Sequence, residues 1–358
     1  MSIEEKIDII GDSLSDIKGA IIARGVTPSG NITTYATAIG EIGGGEPTLI
    51  TKTITENGTY AASADNADGY SSVSVNVSGG GSSVGITREV SANGVYQMPT
   101  SSFTFSLPSN VTDVGSYAMQ YAFQNCPSLT SVDLSSLTIV SGNYAMLNAF
   151  TSCKNLTSAD LSSLTTVSGS DAMYYAFSYC AGLTSVDLSS LTTLSAYGAI
   201  RYAFQTCTNL TSVDLSSLNT VSDSNAMASI FQNCTGLTSV DLSSLTTLSG
   251  MEAMQYAFQN CTGLTSVDLS SLTTLSGNYA MQYTFQGCTK LTTLSFPALT
   301  STSFGSYTNQ FNRMLYRVTG CTVHFPSNLQ SVIGSWSDVT AGFGGTNTTV
   351  LFDLPATT

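Results

Sequence analysis

Apolar and polar positions alternate along residues 129–137: Leu129, Val132, Leu134 and Leu137 are apolar, with Ser131, Asp133 and Ser135 between them. A period near two sends alternate side chains to opposite faces, so this segment reads as a half-buried strand with a Ser/Asp outer face. The stretch before it, Ala118-Met119-Gln120-Tyr121-Ala122-Phe123, is rich in helix-favouring residues, and Asn, Thr and Gly close it in several copies. It predicts a helix of about two turns covering one side of the strand. The whole pattern returns every 27 residues, seven times between residues 118 and 306, without an insertion. Cys126, Cys153, Cys180, Cys207, Cys234, Cys261 and Cys288 mark the beat, and so do Phe123, Phe150, Phe177, Phe204, Phe231, Phe258 and Phe285. One copy cannot bury its Leu, Phe and Met face alone, whereas stacked copies make one continuous core with a parallel sheet along one side. The expected fold class is an α/β repeat solenoid, leucine-rich-repeat-like, preceded by an N-terminal helical segment and a small β module.

Outside the repeats the pattern changes. Ile3, Ile7, Ile10, Leu14, Ile17 and Ile21 alternate in steps of four and three, a heptad seam whose Ile-rich core positions favour trimers or tetramers over dimers. Gly11 and Gly19 weaken that helix, so an amphipathic helix packing on a partner or on its own domain is an equal reading. Residues 1–44 are therefore expected to be a helical attachment or oligomerisation segment. Residues 46–78 alternate around Asn57-Gly58, with Val73, Val75 and Val77 in phase, and predict a small β module. A Gly/Ser linker is expected at 79–83, an N-terminal solenoid cap at 84–117 and a C-terminal cap at 307–358, since terminal units must shield the core.

Composition narrows the function. Of 358 residues, 42% are hydrophobic and 9% charged, enough apolar content for a sizeable core. Ten Lys plus Arg against a net charge of −13 give no basic footprint for phosphate backbones or anionic lipid, so nucleic acid and membrane are excluded as expected partners. The start Met1-Ser2-Ile3-Glu4-Glu5 lacks the basic and apolar regions of a secretory signal. No apolar run is long enough to span a bilayer.

Three columns carry candidate chemistry. The cysteines are expected to pack as small hydrophobes in a buried ladder, because zinc sites need clustered pairs and more His than the single His324. Asp133, Asp160, Asp187, Asp214, Asp241 and Asp268 form an outward column ending at Ser295. Neighbouring carboxylates at about 5 Å repel by about 0.8 kcal/mol in water, so Ser hydroxyls and solvent, or a row of calcium ions, are expected to screen them. The third column is Tyr121, Tyr175, Tyr202, Tyr256 and Tyr283, with Asn148 and Ser229 in the other copies. Exposed, these rings would stack on sugars; half-buried, they would pack against one another. No catalytic residue is expected: His324 reads as an ordinary strand residue, and repeated Asp copies do not make one differentiated acid pair. No cofactor motif is present either: Gly43-Gly44-Gly45 and Gly79-Gly80-Gly81 read as linkers.

Ala122-Phe123-Gln124-Asn125-Cys126-Pro127-Ser128-Leu129-Thr130-Ser131-Val132-Asp133-Leu134 resembles the BspA-type leucine-rich repeat, A-F-x-x-C-x-x-L-x-x-[IV]-x-L. The unit departs from that family by an extra A-M-x-Y turn. The resemblance implies an adhesin-like recognition surface without fixing a ligand. Residues 15–78 are similar to segments of structural proteins of phages and prophages of gut bacteria, which implies a virion setting. The expected function is a virion-associated fibre or decoration protein that adheres to bacterial-surface or mucosal glycans or proteins. It would be held as a homo-oligomer, trimeric by the heptad, or docked on another virion protein. Alternatives are a purely structural decoration protein and a bacterial BspA-like surface adhesin.

Overall fold

A computed structural model describes residues 58–61, 72–77, 84–88, 102–107, 109, 111–304, 309–336 and 342–357. The heptad of residues 1–44 lies outside these. Strands β1 (Gly58–Ala61), β2 (Ser72–Val77) and β3 (Val84–Arg88) form an antiparallel sheet in the order β1-β2-β3. Val84–Arg88, on the far side of the expected linker, thus belongs with the small module.

The rest is a β-solenoid of about nine turns with almost no helix. Strand β4 (Phe103–Ser106) starts it. Each coil then carries a longer strand followed by a two-residue one: β5 (Leu129–Asp133) and β6 (Ile139–Val140), β7 (Ser158–Asp160) and β8 (Thr166–Val167), β9 (Ser185–Asp187) and β10 (Thr193–Leu194). The series continues with β11 (Ser212–Asp214) and β12 (Thr220–Val221), β13 (Ser239–Asp241) and β14 (Thr247–Leu248), β15 (Ser266–Asp268) and β16 (Thr274–Leu275). The longer strands, with β4, pair in parallel as one seven-stranded sheet and the short ones as a six-stranded sheet. Pairing is in register at the 27-residue step, Ser185 on Ser212 and Asp187 on Asp214. Strands β17 (Thr293–Ser295), β18 (Thr322–Pro326) and β19 (Thr349–Leu354) close the C-terminal end in parallel, beside the one-turn α1 (Gln330–Ile333).

The third side of each coil corrects the expected two-turn helix. Along residues 144–153 the N–H groups alternate. Ala145, Leu147, Ala149, Thr151 and Cys153 donate three residues back, closing overlapping β-turns, while Tyr144, Met146, Asn148, Phe150 and Ser152 donate to Ser170, Ala172, Tyr174, Ala176 and Ser178 on the next coil. Every fourth residue is left-handed, with φ of 53°, 53° and 62° at Tyr144, Asn148 and Ser152. An α-helix needs φ near about −63° throughout, so this run cannot be one. The buried pairs Ala145/Met146 and Ala149/Phe150, then Cys153, recur every four residues. Over so short a stretch a period of four drifts from the helical period by only about 40° per turn, so the sequence pattern fits both. Stacking decides between them: an isolated two-turn helix is unstable, whereas the turn run hydrogen-bonds to its neighbouring coil along its whole length.

Between the three sides lies the core. Leu129, Leu134, Leu137, Phe150, Met146 and their 27-residue equivalents are almost fully buried. Phenylalanines of successive coils stack, for example Phe150 on Phe177 at 4.9 Å and Phe177 on Phe204 at 5.3 Å. Among the described residues no helix is long and apolar enough to cross a membrane.

Candidate functional site

Strand alternation buries Val186, Val213 and Val240 and turns the Ser and Asp neighbours outward. Asp133, Asp160, Asp187, Asp214, Asp241 and Asp268 face one another across the parallel register and are all exposed. Their screening is local. In each coil the carboxylate accepts the backbone N–H of the serine two residues on, at 3.0 Å for Ser135 on Asp133, 2.9 Å for Ser216 on Asp214 and 2.8 Å for Ser270 on Asp268. The Ser135 and Ser189 hydroxyls add bonds of 2.6 and 2.7 Å to Asp133 and Asp187. Each Asp thus closes an Asx turn at the end of its strand. These bonds hold the Asp133 and Asp214 carboxyls below the ordinary carboxylate value, the serine hydroxyls contributing most. Among the described residues no group of three or more His, Cys, Asp or Glu is disposed to hold a metal ion. At the end of the column Asp241, Asp268, Ser295 and Pro297 line a shallow concavity of about 460 Å³.

All eight cysteines are buried and none forms a disulfide. They do more than fill space. Each thiol from Cys153 to Cys288 donates to the carbonyl of a phenylalanine on the previous coil, as Cys207 Sγ does to Phe177 O at 3.2 Å and Cys234 Sγ to Phe204 O at 3.1 Å. Burial pushes the thiols of Cys180, Cys234 and Cys288 up to about 12, far from the reactive thiolate.

The turn side presents the tyrosines. Tyr121, Tyr175, Tyr202, Tyr256 and Tyr283 are all left-handed, with φ of 54–56°. The register of the coils brings Tyr175 face to face with Tyr202 at 4.7 Å and Tyr256 with Tyr283 at 4.9 Å. Tyr121 is exposed and the other four are half-buried, so both packing and display are realised in one column. Beside it runs an amide ladder, Gln255 Nε2 to Gln282 Oε1 at 2.5 Å and Gln282 Nε2 to Asn312 Oδ1 at 3.1 Å. On the third and fourth coils Tyr174 and Arg201 occupy that position instead. The Arg201 guanidinium lies 5.7 Å from the Tyr174 ring centre and 5.0 Å from that of Tyr202. Burial raises the neighbouring Asp171 carboxyl, against the pull of Arg201 and a hydrogen bond from Tyr144. This cluster was not singled out from the sequence, although aligning the copies on their 27-residue beat, where the position reads Gln120, Leu147, Tyr174, Arg201, Ala228, Gln255 and Gln282, places Tyr174 and Arg201 on successive coils. His324 does have a partner, Asp353, whose carboxylate oxygens lie 2.9 and 3.0 Å from Nδ1. It ties β18 to β19 on the exposed side of the cap.

Residues 92–197, 119–253 and 201–334 match the BspA type leucine rich repeat region, in six copies. That scaffold is typical of non-enzymatic binding proteins, and no enzyme family is indicated. No curated protein matches the chain. Among solved structures, it is similar to a leucine-rich repeat protein from Bacteroides ovatus (16% identity, 78% of this chain and 98% of that one, TM-score 0.22). It is also similar to a leucine rich cell surface protein from Faecalibacterium prausnitzii (15% identity, 81% and 96% covered, TM-score 0.20). A third similar structure is the pneumococcal vaccine antigen PcpA (14% identity, 84% and 100% covered, TM-score 0.21).

Proposed function

Because the chain belongs to the BspA-type leucine rich repeat family, we propose that it is a non-catalytic adhesive protein whose solenoid holds glycans or proteins of a bacterial or mucosal surface. The observation that carries this is the difference between two faces. The carboxylates of the strand face are engaged in their own Asx turns, whereas the turn face carries a tyrosine column, exposed at Tyr121 and half-buried at Tyr175, Tyr202, Tyr256 and Tyr283, on a repeated backbone. Rigid aromatic side chains give contact area at low entropic cost, which suits adhesion to an extended ligand.

The carrier we favour is a virion, with the solenoid as a fibre or decoration element and residues 1–44 as its foot. The support is the similarity of residues 15–78 to phage structural segments and the heptad from Ile3 to Ile21, which favours a homotrimer or docking on another virion protein. A bacterial BspA-like surface adhesin would use the same turn face from a cell instead. The uniform Ser/Asp strand face favours a second reading, a decoration element that stiffens a particle without binding a receptor.

The test is retention of the labelled full-length chain on bacterial cells and on mucin. Saturable retention that falls at least tenfold in the Tyr121→Ala/Tyr175→Ala/Tyr256→Ala variant, with circular dichroism unchanged, supports adhesion through the turn face. Undiminished retention removes the tyrosines from the proposal, and no retention of the unaltered chain favours the stiffening role. Light scattering of the chain with and without residues 1–44 tests the foot: a trimer that becomes a monomer supports it as the assembly element.

A further inference from the structure

The tyrosine column lacks a ring in two places, at Asn148 on the second coil and at Ser229 on the fifth. The two gaps differ. Ser229 is 2% exposed, so the interval between Tyr202 and Tyr256 is closed over it. Asn148 is only half-buried and Tyr121, on the coil before it, is 43% exposed, so the interval between Tyr121 and Tyr175 opens to solvent.

The stack sets the size of the opening. Tyr175 and Tyr202 lie within 16° of parallel at 4.7 Å, so each ring of the column fills one coil step. Two steps, about 10 Å, separate the positions of Tyr121 and Tyr175. That leaves room for one ring at stacking distance from both. Tyr174 does not fill it: at 4.3 Å from Tyr175 and 5.7 Å from Tyr202, with its plane turned 63° and 79° to theirs, it sits beside the pair and not on the outer face of Tyr175. The floor is the Asn148 side-chain amide, one end of which lies 3.0 Å from Thr151 Oγ1; the single proton of that hydroxyl goes to Tyr175 O at 2.5 Å, and the other end of the amide is left to a ligand.

We propose that this notch binds one pyranose ring of a neutral polysaccharide, stacked on Tyr175 beneath Tyr121 with a hydroxyl hydrogen-bonded to the Asn148 amide. The proposal rests on the reading of the solenoid as an adhesin and narrows it to one subsite and one ligand class. A sugar fits better than an aromatic peptide side chain, because a polar amide floors the notch and hydroxyls satisfy it. A neutral polymer fits better than an acidic one, because the chain carries a net charge of −13.

The test is affinity electrophoresis of the full-length protein in gels containing dextran, mannan or galactan, with polygalacturonate as the anionic comparison. Retardation is expected in at least one neutral gel. Tyr175→Ala weakens it about tenfold, the scale of a lost stacking contact. Asn148→Tyr supplies the missing ring and abolishes it, without breaking the fold, since Tyr121 and Tyr175 hold the same left-handed backbone at φ 56° and 55°. Lys290→Ala, at an exposed position of the seventh coil outside the tyrosine column, leaves it unchanged. If Tyr175→Ala misfolds, Asn148→Tyr alone decides. Retardation that survives Asn148→Tyr, or occurs only in polygalacturonate, or in no neutral gel, overturns the notch. A chain that fails in the gels but is still retained on cells or mucin overturns the notch alone. One that fails in both overturns the adhesin reading as well.

Discussion

At the scale of single residues, the repeated columns do unequal work under one backbone rule. The last left-handed position of each turn run is Asn125, Ser152, Tyr179, Thr206, Asn233, Asn260 and Gly287. Asn and Gly accept that conformation readily, whereas a β-branched side chain at φ 61°, as at Thr206, is strained. Thr206→Asn is therefore expected to stabilise the protein by about 0.5–1 kcal/mol, read as a higher denaturation midpoint; a lower midpoint would show that the Thr206 side chain makes a contact worth more than the strain. The Asp column makes a different prediction. The Asp133 and Asp214 carboxyls are held below the ordinary 3.8, so their contribution is complete above that value and is lost as pH falls through the lower folded-state value. Stability of the Asp133→Asn/Asp214→Asn variant should differ from the unaltered protein at pH 6 and converge with it near pH 2. The difference at pH 6 should be below about 1 kcal/mol, because both groups are exposed. A gap that persists at pH 2 would assign the effect to something other than charge.

At the scale of the element, the turn run and the cysteine ladder support each other. The alternation of N–H groups leaves the Phe177 carbonyl inside the core, where it accepts from Cys180 N at 3.3 Å and from Cys207 Sγ at 3.2 Å. Cys207→Ala removes one of those donors and opens a small void, and is expected to cost about 1–2 kcal/mol in urea unfolding. The native thiols should also resist iodoacetamide at pH 8 and all eight should react after unfolding. Rapid labelling of a core cysteine in the folded protein would contradict the ladder. The turn run is also where the sequence misled. Ala145, Met146, Ala149, Phe150 and Cys153 were legible as buried, but their spacing does not distinguish a short helix from a period of four. The deciding hydrogen bonds, such as Met146 N to Ala172 O, join residues 26 apart. No local propensity reports such a bond.

At the scale of the whole molecule, each coil touches chiefly its neighbours, so the 27-residue unit behaves as a module. Deleting residues 226–252 joins Asn225 to Ala253 and keeps every column in register, and the shortened chain is expected to fold with a correspondingly smaller unfolding enthalpy. Deleting residues 226–238 shifts every Phe, Cys and Leu against its partner and should abolish a cooperative calorimetric transition; two similar transitions would mean that the coils are not coupled by register. The sequence by itself determined the repeat length, the strand with Val213 inside and Asp214 outside, the buried Phe and Cys columns and the acidic balance. These depend on side-chain chemistry and on periodicity, and both are local. Only the tertiary structure decided that the third side is turns, that each Asp closes its own coil, that Cys207 donates to Phe177, and that the gap at Asn148 is open while the one at Ser229 is closed. Each of those outcomes depends on which atoms the next coil or the chain's own turn brings within hydrogen-bonding or stacking distance, and a linear pattern of residue types carries no information about that distance.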